Sequence, residues 1–256
     1  MSASLETRNL SKQFTVRGRT VPVLYDISLA IQPGEFVSIV GSSGCGKSTF
    51  LNILAGLESP TSGTALIGGQ PILGPGPDRG VVFQSYSLLP WRTVEQNIAL
   101  GLELAGVNRR AAREVVDYYL GVVGLRDWRN ARPSQLSGGM RQRVAIARAL
   151  ATGPEVLLLD EPFAALDVQT KAGMHEFLRD LWLQTGTTIV LVTHDVDEAV
   201  YLSERIYVFA ASPGRVRADV PVPFPRQRSP SLRREPAFFD LRDRVLSLVG
   251  SVEVPV

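Results

Sequence analysis

An apolar run, Phe36-Val37-Ser38-Ile39-Val40, passes without a break into Gly41-Ser42-Ser43-Gly44-Cys45-Gly46-Lys47-Ser48-Thr49. An apolar helical stretch, Thr49 to Leu57, follows. A short unbroken run rich in branched residues suits a strand buried on both faces. The glycines let backbone N–H groups turn inward, and a helix starting behind them adds partial positive charge. Strand, glycine loop and helix, closed by Lys-Ser, make a cradle for phosphate groups. Lys47 is placed to reach the terminal phosphates of a nucleotide, and the Ser48 hydroxyl to ligate Mg²⁺. An ordinary glycine turn has no use for Lys-Ser at this offset. Cys45 lies inside the loop, so alkylation of its thiol is expected to block activity unless a nucleotide protects it.

Two more runs extend the pattern. Val156-Leu157-Leu158-Leu159 ends in Asp160-Glu161, and Ile189-Val190-Leu191-Val192-Thr193 ends in His194. Helical segments lie between the runs, and strands alternating with helices imply an α/β core with a mainly parallel sheet. Ligands in such sheets bind beyond the C-terminal ends of the strands. There Asp160 is placed to hold Mg²⁺ and Glu161 to polarise an attacking water. His175, the other histidine, has no motif around it and is assigned nothing.

Composition sets the outer bounds. The chain has 256 residues, 45% of them hydrophobic, enough to bury one large domain or a domain with a subdomain. A formal net charge of +2 gives no field that would favour nucleic acid. The single cysteine excludes an internal disulfide and suits a reducing compartment. No stretch approaches the roughly 18 apolar residues that a spanning helix needs. If the protein serves a membrane, it does so through a partner.

The first 35 residues read differently. Leu5–Leu10 and Val23–Ile31 alternate polar and apolar residues, as in an antiparallel β subdomain. The middle, about 88–150, reads as a helical subdomain. Thr93-Val94-Glu95-Gln96 has capping-box spacing, Asn108 caps a helix from Arg109 to about Val123, and Gly124 ends it. From Ser212 the chain turns rich in Pro and Arg, which opposes regular structure over much of that segment. A short helix is predicted near Pro236–Val249. Its apolar residues are expected to pack on the chain's own domain, and Arg226, Arg228, Arg233 and Arg234 to form a solvated basic face. The organisation expected is therefore a domain over 1–211 and an extension over 212–256.

A second glycine motif decides the reading. In Leu136-Ser137-Gly138-Gly139-Met140-Arg141, Ser137 can cap the following helix while the glycines expose N–H groups at its positive end. With the preceding motifs in order, the chain resembles the ABC (ATP-binding cassette) ATPases over residues 3 to about 211. Met140 stands where that family usually has Gln. The resemblance implies a P-loop fold, ATP and Mg²⁺ as ligands, and ATP hydrolysis driving transport. It implies that Leu136, Ser137, Gly138, Gly139 and Met140 complete the ATP site of a second cassette subunit, head to tail. It also gives Gln84 a role in sensing Mg²⁺ and facing the transporter, and His194 a contact with the γ-phosphate. Asp167, in Ala165-Leu166-Asp167, would line the dimer interface, and Phe14 would stack on adenine, with Tyr25 its rival.

Gln84-Ser85-Tyr86-Ser87-Leu88-Leu89-Pro90-Trp91 and Ser212-Pro213-Gly214-Arg215 resemble cassettes of the nitrate, sulfonate and taurine importer group. That implies transmembrane permease subunits, a periplasmic or lipoprotein solute-binding protein, and a place on the cytoplasmic face of the cell membrane. Relatives of that group also import pyrimidine vitamin precursors. Soluble ABC ATPases of DNA repair or translation carry long insertions or two cassettes, and neither is present here.

Overall fold

A computed structural model describes residues 2–211 and 213–250. In chain order its elements are β1 (Leu5–Val16), β2 (Arg19–Ile31), β3 (Phe36–Gly41), α1 (Lys47–Leu54), β4 (Ser62–Ile67), β5 (Gln70–Pro71), β6 (Arg79–Val82), α2 (Val94–Leu104), α3 (Arg109–Val122) and α4 (Gly138–Leu150). They continue with β7 (Val156–Asp160), α5 (Val168–Thr185), β8 (Thr188–Thr193), α6 (Val196–Leu202), β9 (Arg205–Ala210), β10 (Arg215–Pro221) and α7 (Pro236–Gly250).

The six-stranded sheet runs β10-β9-β3-β8-β7-β6. Five of its strands are parallel and β10 is antiparallel at one edge. Burial on both faces explains why β3, β7 and β8 are mostly apolar, with successive side chains pointing to opposite sides. Phe36, Val40, Leu157, Leu159, Ile189 and Leu191 face one core. Val37, Ile39, Val156, Leu158, Val190 and Val192 face the other. The second face is covered by α1 and by an antiparallel sheet, β2-β1-β4-β5. The predicted N-terminal subdomain is that sheet, lengthened by the hairpin through Arg17-Gly18, both at positive φ.

The helical subdomain follows its sequence signals. Thr93 Oγ1 accepts from Gln96 N at 3.3 Å, and Thr93 N donates to Gln96 Oε1 at 3.0 Å, so the capping box forms. Asn108 caps α3 through Arg110 N at 2.8 Å. A cap of this kind contributes about 1 kcal/mol. Helix α4 joins two cores: Val144 and Ala147 pack among α2 and α3, while Ala145, Ile146 and Leu150 pack on the sheet. The helix that begins at Ser137 is thereby held between the subdomain and the sheet.

The C-terminal segment is built into the main domain. Residues Arg215–Pro221 form an edge strand despite the nearby prolines, because Pro221 sits at its end, where a missing donor costs least. Phe238, Leu241 and Val245 of α7 are buried in the core below β9. Two of the four arginines depart from expectation. Arg228 is buried, and its guanidinium donates to Val200 O (3.1 Å), Tyr201 O (2.7 Å), Ser203 O (3.0 Å) and Pro225 O (2.8 Å). Three of those carbonyls close the C-terminus of α6, where helix carbonyls lack partners and favour a cation. Burial pulls the Arg228 pKa down to about 10, still charged at neutral pH. Arg233 turns inward to His175, while Arg226 pairs with Glu204 at 2.7 Å. Arg226, whose side chain is 56% exposed, and Arg234 stay on exposed faces as expected.

Candidate functional site

The C-terminal ends of β3, β8 and β7 lie side by side, because the three strands are adjacent and parallel. The chain leaves β3 at Gly41, β7 at Asp160 and β8 at Thr193, so the predicted chemistry collects at one edge. A side chain on Gly41 would meet Phe209 O at 2.6 Å, which is why glycine is needed where the strand turns. Gly46, at φ 91°, both adopts the left-handed backbone and lets Leu24 and Val23 of β2 approach. Lys47 is buried, and its ammonium donates to Gly41 O at 2.8 Å and Ser42 O at 3.0 Å. The loop thus curls around the Lys47 ammonium.

Ser48 and Asp160 are far apart in sequence, yet Ser48 Oγ donates to Asp160 Oδ1 at 3.2 Å. Burial raises the Asp160 pKa; the Ser48 hydrogen bond lowers it, Glu161 raises it and Lys47 lowers it. A hydroxyl and a carboxylate are hard oxygen donors of the kind Mg²⁺ takes together with substrate phosphates and water. Among the described residues no cluster of three His, Cys, Asp or Glu makes an all-protein cage. The fit is therefore to a cation that arrives with a nucleotide.

Glu161 has φ 44°, a conformation that costs an ordinary side chain about 1–3 kcal/mol. Its N–H donates to Val192 O at 2.9 Å, which holds the turn. Its carboxylate accepts from His194 Nδ1 at 3.0 Å. His194 is 58% exposed by side chain and Glu161 22%, so the pair opens toward solvent beside Asp160. Gln84 is exposed in the loop after β6, whose last residue, Val82, pairs with Leu159.

The second glycine motif lies on the helical subdomain. Ser137 Oγ accepts from Met140 N at 3.3 Å, forming the predicted cap. Leu136 is buried, and its carbonyl accepts from Arg141 Nε at 3.0 Å. Gly139 is needed for packing, since a side chain there would come within 2.6 Å of Thr170 Cγ2 on α5. Gly138 sits against Leu166 and Tyr86. Ser137, Gly139 and Met140 line a surface concavity with Thr170, Gly173 and Met174, and none of residues 41–49 belongs to it. Asp167 caps α5 by accepting from Gln169 N (3.1 Å) and Thr170 N (3.0 Å), which lowers its pKa.

Phe14 is half-buried on β1, with the Lys12 ammonium 4.7 Å from its ring centroid. It is tied to the loop through the hairpin, since Val23 and Leu24 of β2 lie against Gly46. Tyr25 is exposed and carries the Arg215 guanidinium at 4.8 Å.

One expectation is overturned. Cys45 is fully buried among Phe50, Phe209 and the other residues of the second core, and burial raises its thiol pKa. It contributes backbone to the loop and presents no thiolate to solvent. We expect the native protein to resist maleimide while the denatured chain reacts; rapid stoichiometric labelling of the native protein would contradict this burial.

Sequence motifs also gave no sign of what lies behind the loop. Gly214 N donates to Val23 O (2.8 Å) and Tyr25 N to Gly214 O (2.9 Å). A side chain on Gly214 would strike Cys45 O at 2.1 Å. The Pro-Gly-Arg turn thus buttresses the 41–49 glycine loop from outside, and the glycine within the turn is its one sequence signal.

Comparison with known proteins adds an independent finding. Residues 24–164 match the family model described as ABC transporter. This chain belongs to the ABC transporter family. It is an ATP-binding cassette, and the family's ATP hydrolysis is coupled to transport. A nitrate import ATP-binding protein, NrtD, of Synechocystis sp. is 48% identical over 255 residues, covering 97% of this chain and 96% of that one. A dimeric cassette, MJ0796, solved after hydrolysis with ADP and Pi, superposes with TM-score 0.75 at 34% identity, over 86% of this chain and 99% of the other. The cassette cbiO1 of Clostridium perfringens, part of the transporter complex cbiONQ, gives TM-score 0.77 at 29% identity, over 87% and 90%. Among the described residues of this cassette, no helix is long and apolar enough to cross a membrane.

Proposed function

We propose that this cassette energises a membrane importer for a small anion, nitrate being the first candidate, by closing in pairs on ATP. The observation that carries the reading is the convergence of Lys47, Ser48, Asp160, Glu161 and His194 at one sheet edge, with the Ser137 helix start on a separate surface. A site split in this way is complete only when two cassettes meet. The dimeric cassette MJ0796 supports the pairing, and the nitrate import relative supports the solute class. Sulfonates and taurine share the anionic chemistry of nitrate and are the alternatives.

In this reading the loop amides from Gly41 to Thr49 and the Lys47 ammonium bind the phosphates, and Phe14 stacks on the adenine. Ser48, Asp160 and Gln84 would hold Mg²⁺, which when bound would supply charge neutralisation for phosphoryl transfer. Glu161 takes a proton from the attacking water, and His194 holds both Glu161 and the γ-phosphate in place. The partner's copy of Ser137 and its glycines closes the site, with Asp167 at the interface between copies. Opening after hydrolysis passes motion to permease subunits at the cytoplasmic face of the membrane, through the loop around Gln84. A periplasmic or lipoprotein binding protein delivers the solute on the other side.

The test is sedimentation of Glu161→Gln with and without ATP, in the absence of Mg²⁺. A shift from monomer to dimer on adding ATP is expected, and a further Ser137→Arg change abolishes it while leaving ATP binding intact. Dimerisation that survives Ser137→Arg would remove Ser137 from the interface.

A further inference from the structure

Behind His194 lies a buried chain of polar contacts that hydrolysis at the sheet edge does not use. His175 of α5 is 5% exposed, with Phe163 edge-on at 5.2 Å. Arg233 Nη2, from the C-terminal segment, lies 2.7 Å from His175 Nδ1. A guanidinium can only donate, so Nδ1 is the acceptor and the neutral ring carries its proton on Nε2. That proton goes to Glu198 Oε1 at 3.1 Å. Glu198 is 3% exposed, and its other oxygen accepts from the Thr193 hydroxyl.

Thr193 and Asp195 flank His194 and are tied to each other and to Glu198. Thr193 Oγ1 accepts from Asp195 N at 3.0 Å, and Asp195 Oδ1 accepts from Glu198 N at 3.1 Å. Asp195 Oδ2 also accepts from Lys171 at 2.5 Å. Half-exposed His194 is flanked by two groups that both hold Glu198, Thr193 through its buried carboxylate and Asp195 through its backbone N–H. Arg233 also lies over the Tyr201 ring at 3.9 Å, which fixes its guanidinium against the same wall.

We propose that Arg233, His175 and Glu198 are positioning residues for His194, so that docking of the C-terminal segment sets the hydrolysis rate at the remote sheet edge. The inference rests on the proposed role of His194. Loss of the Arg233 donor frees the His175 ring to adopt its other tautomer, which removes the donor to Glu198 Oε1. Glu198 is then free to shift, and the Thr193-His194-Asp195 turn loses its fixed partner. ATP binding, which uses β3 and α1, is not disturbed.

The experiment is a double-mutant cycle on the full chain, read as the single-turnover rate constant for ATP hydrolysis together with ATP affinity. Arg233→Ala lowers the rate about tenfold, the effect of losing one hydrogen bond to a buried network, with ATP affinity within about twofold of the parent. In a His194→Ala background the same change has no further effect. A control, Arg234→Ala at the exposed neighbouring position, changes neither. Should Arg233→Ala not fold, Arg233→Lys keeps a cationic donor, and its smaller fall in rate must likewise vanish in the His194→Ala background. No fall in rate, or an equal fall in both backgrounds, overturns the proposal. An unchanged rate in His194→Ala alone overturns the role of His194, and this inference with it.

Discussion

Glu161→Gln is expected to bind ATP as tightly as the parent and to hydrolyse it about 10²–10³ times more slowly. The amide has the shape of the carboxylate and can still meet His194 Nδ1, now 3.0 Å from the carboxylate. What it lacks is a basic oxygen to take a proton from water. In the proposed reading phosphate binding uses the other end of the site, the loop around the Lys47 ammonium, which is held by Gly41 O and Ser42 O. Binding and turnover should therefore separate cleanly. The measurement is equilibrium binding of a fluorescent ATP analogue beside steady-state phosphate release. Near-normal turnover would remove Glu161 from the role of base, and loss of binding would mean that its left-handed turn holds up the phosphate loop.

Much of this site is legible in sequence because each piece is local. The strand before Gly41, the glycines and Lys47 lie within one short segment, and so do the apolar strand and acids at 156–161. The caps at Thr93, Asn108 and Ser137 are equally local: each needs only a side chain and an N–H two or three residues on. What brings the pieces together is the parallel order of β3, β8 and β7, which the α/β alternation implies without giving the strand order.

The unread part is where composition misleads. Arginines among prolines suggest a solvated tail, yet Arg228 is buried because the carbonyls of α6 end beneath it. A cysteine in a glycine loop suggests an accessible thiol, yet Cys45 points into the core because β3 and Phe209 close over it. His175 has no motif because its partners, Glu198 and Arg233, come from separate elements. Glu161 carries no sign of its positive φ, which arises where the chain leaves β7 with its N–H still bonded to Val192 on the next strand.

Lys47→Ala tests the other half of the site and should have the larger effect on binding. The ammonium is buried within its own loop and held by Gly41 O and Ser42 O, so its charge sits where phosphates would enter. Removing it takes away the one side-chain cation in the cradle, while the loop amides and the α1 dipole remain. A charge-assisted contact of this kind is worth about 1.5–3 kcal/mol, so ATP affinity should fall at least tenfold. The fold itself should survive, because Leu51, Ile53 and Leu54 anchor α1 independently of Lys47. The measurement is ATP affinity by calorimetry, with uptake of labelled nitrate by cells that depend on this cassette as the functional counterpart. Normal ATP affinity in the variant would overturn the assignment of the loop. Lost affinity with undiminished nitrate uptake would leave the cassette an ATP-binding protein but assign nitrate import elsewhere.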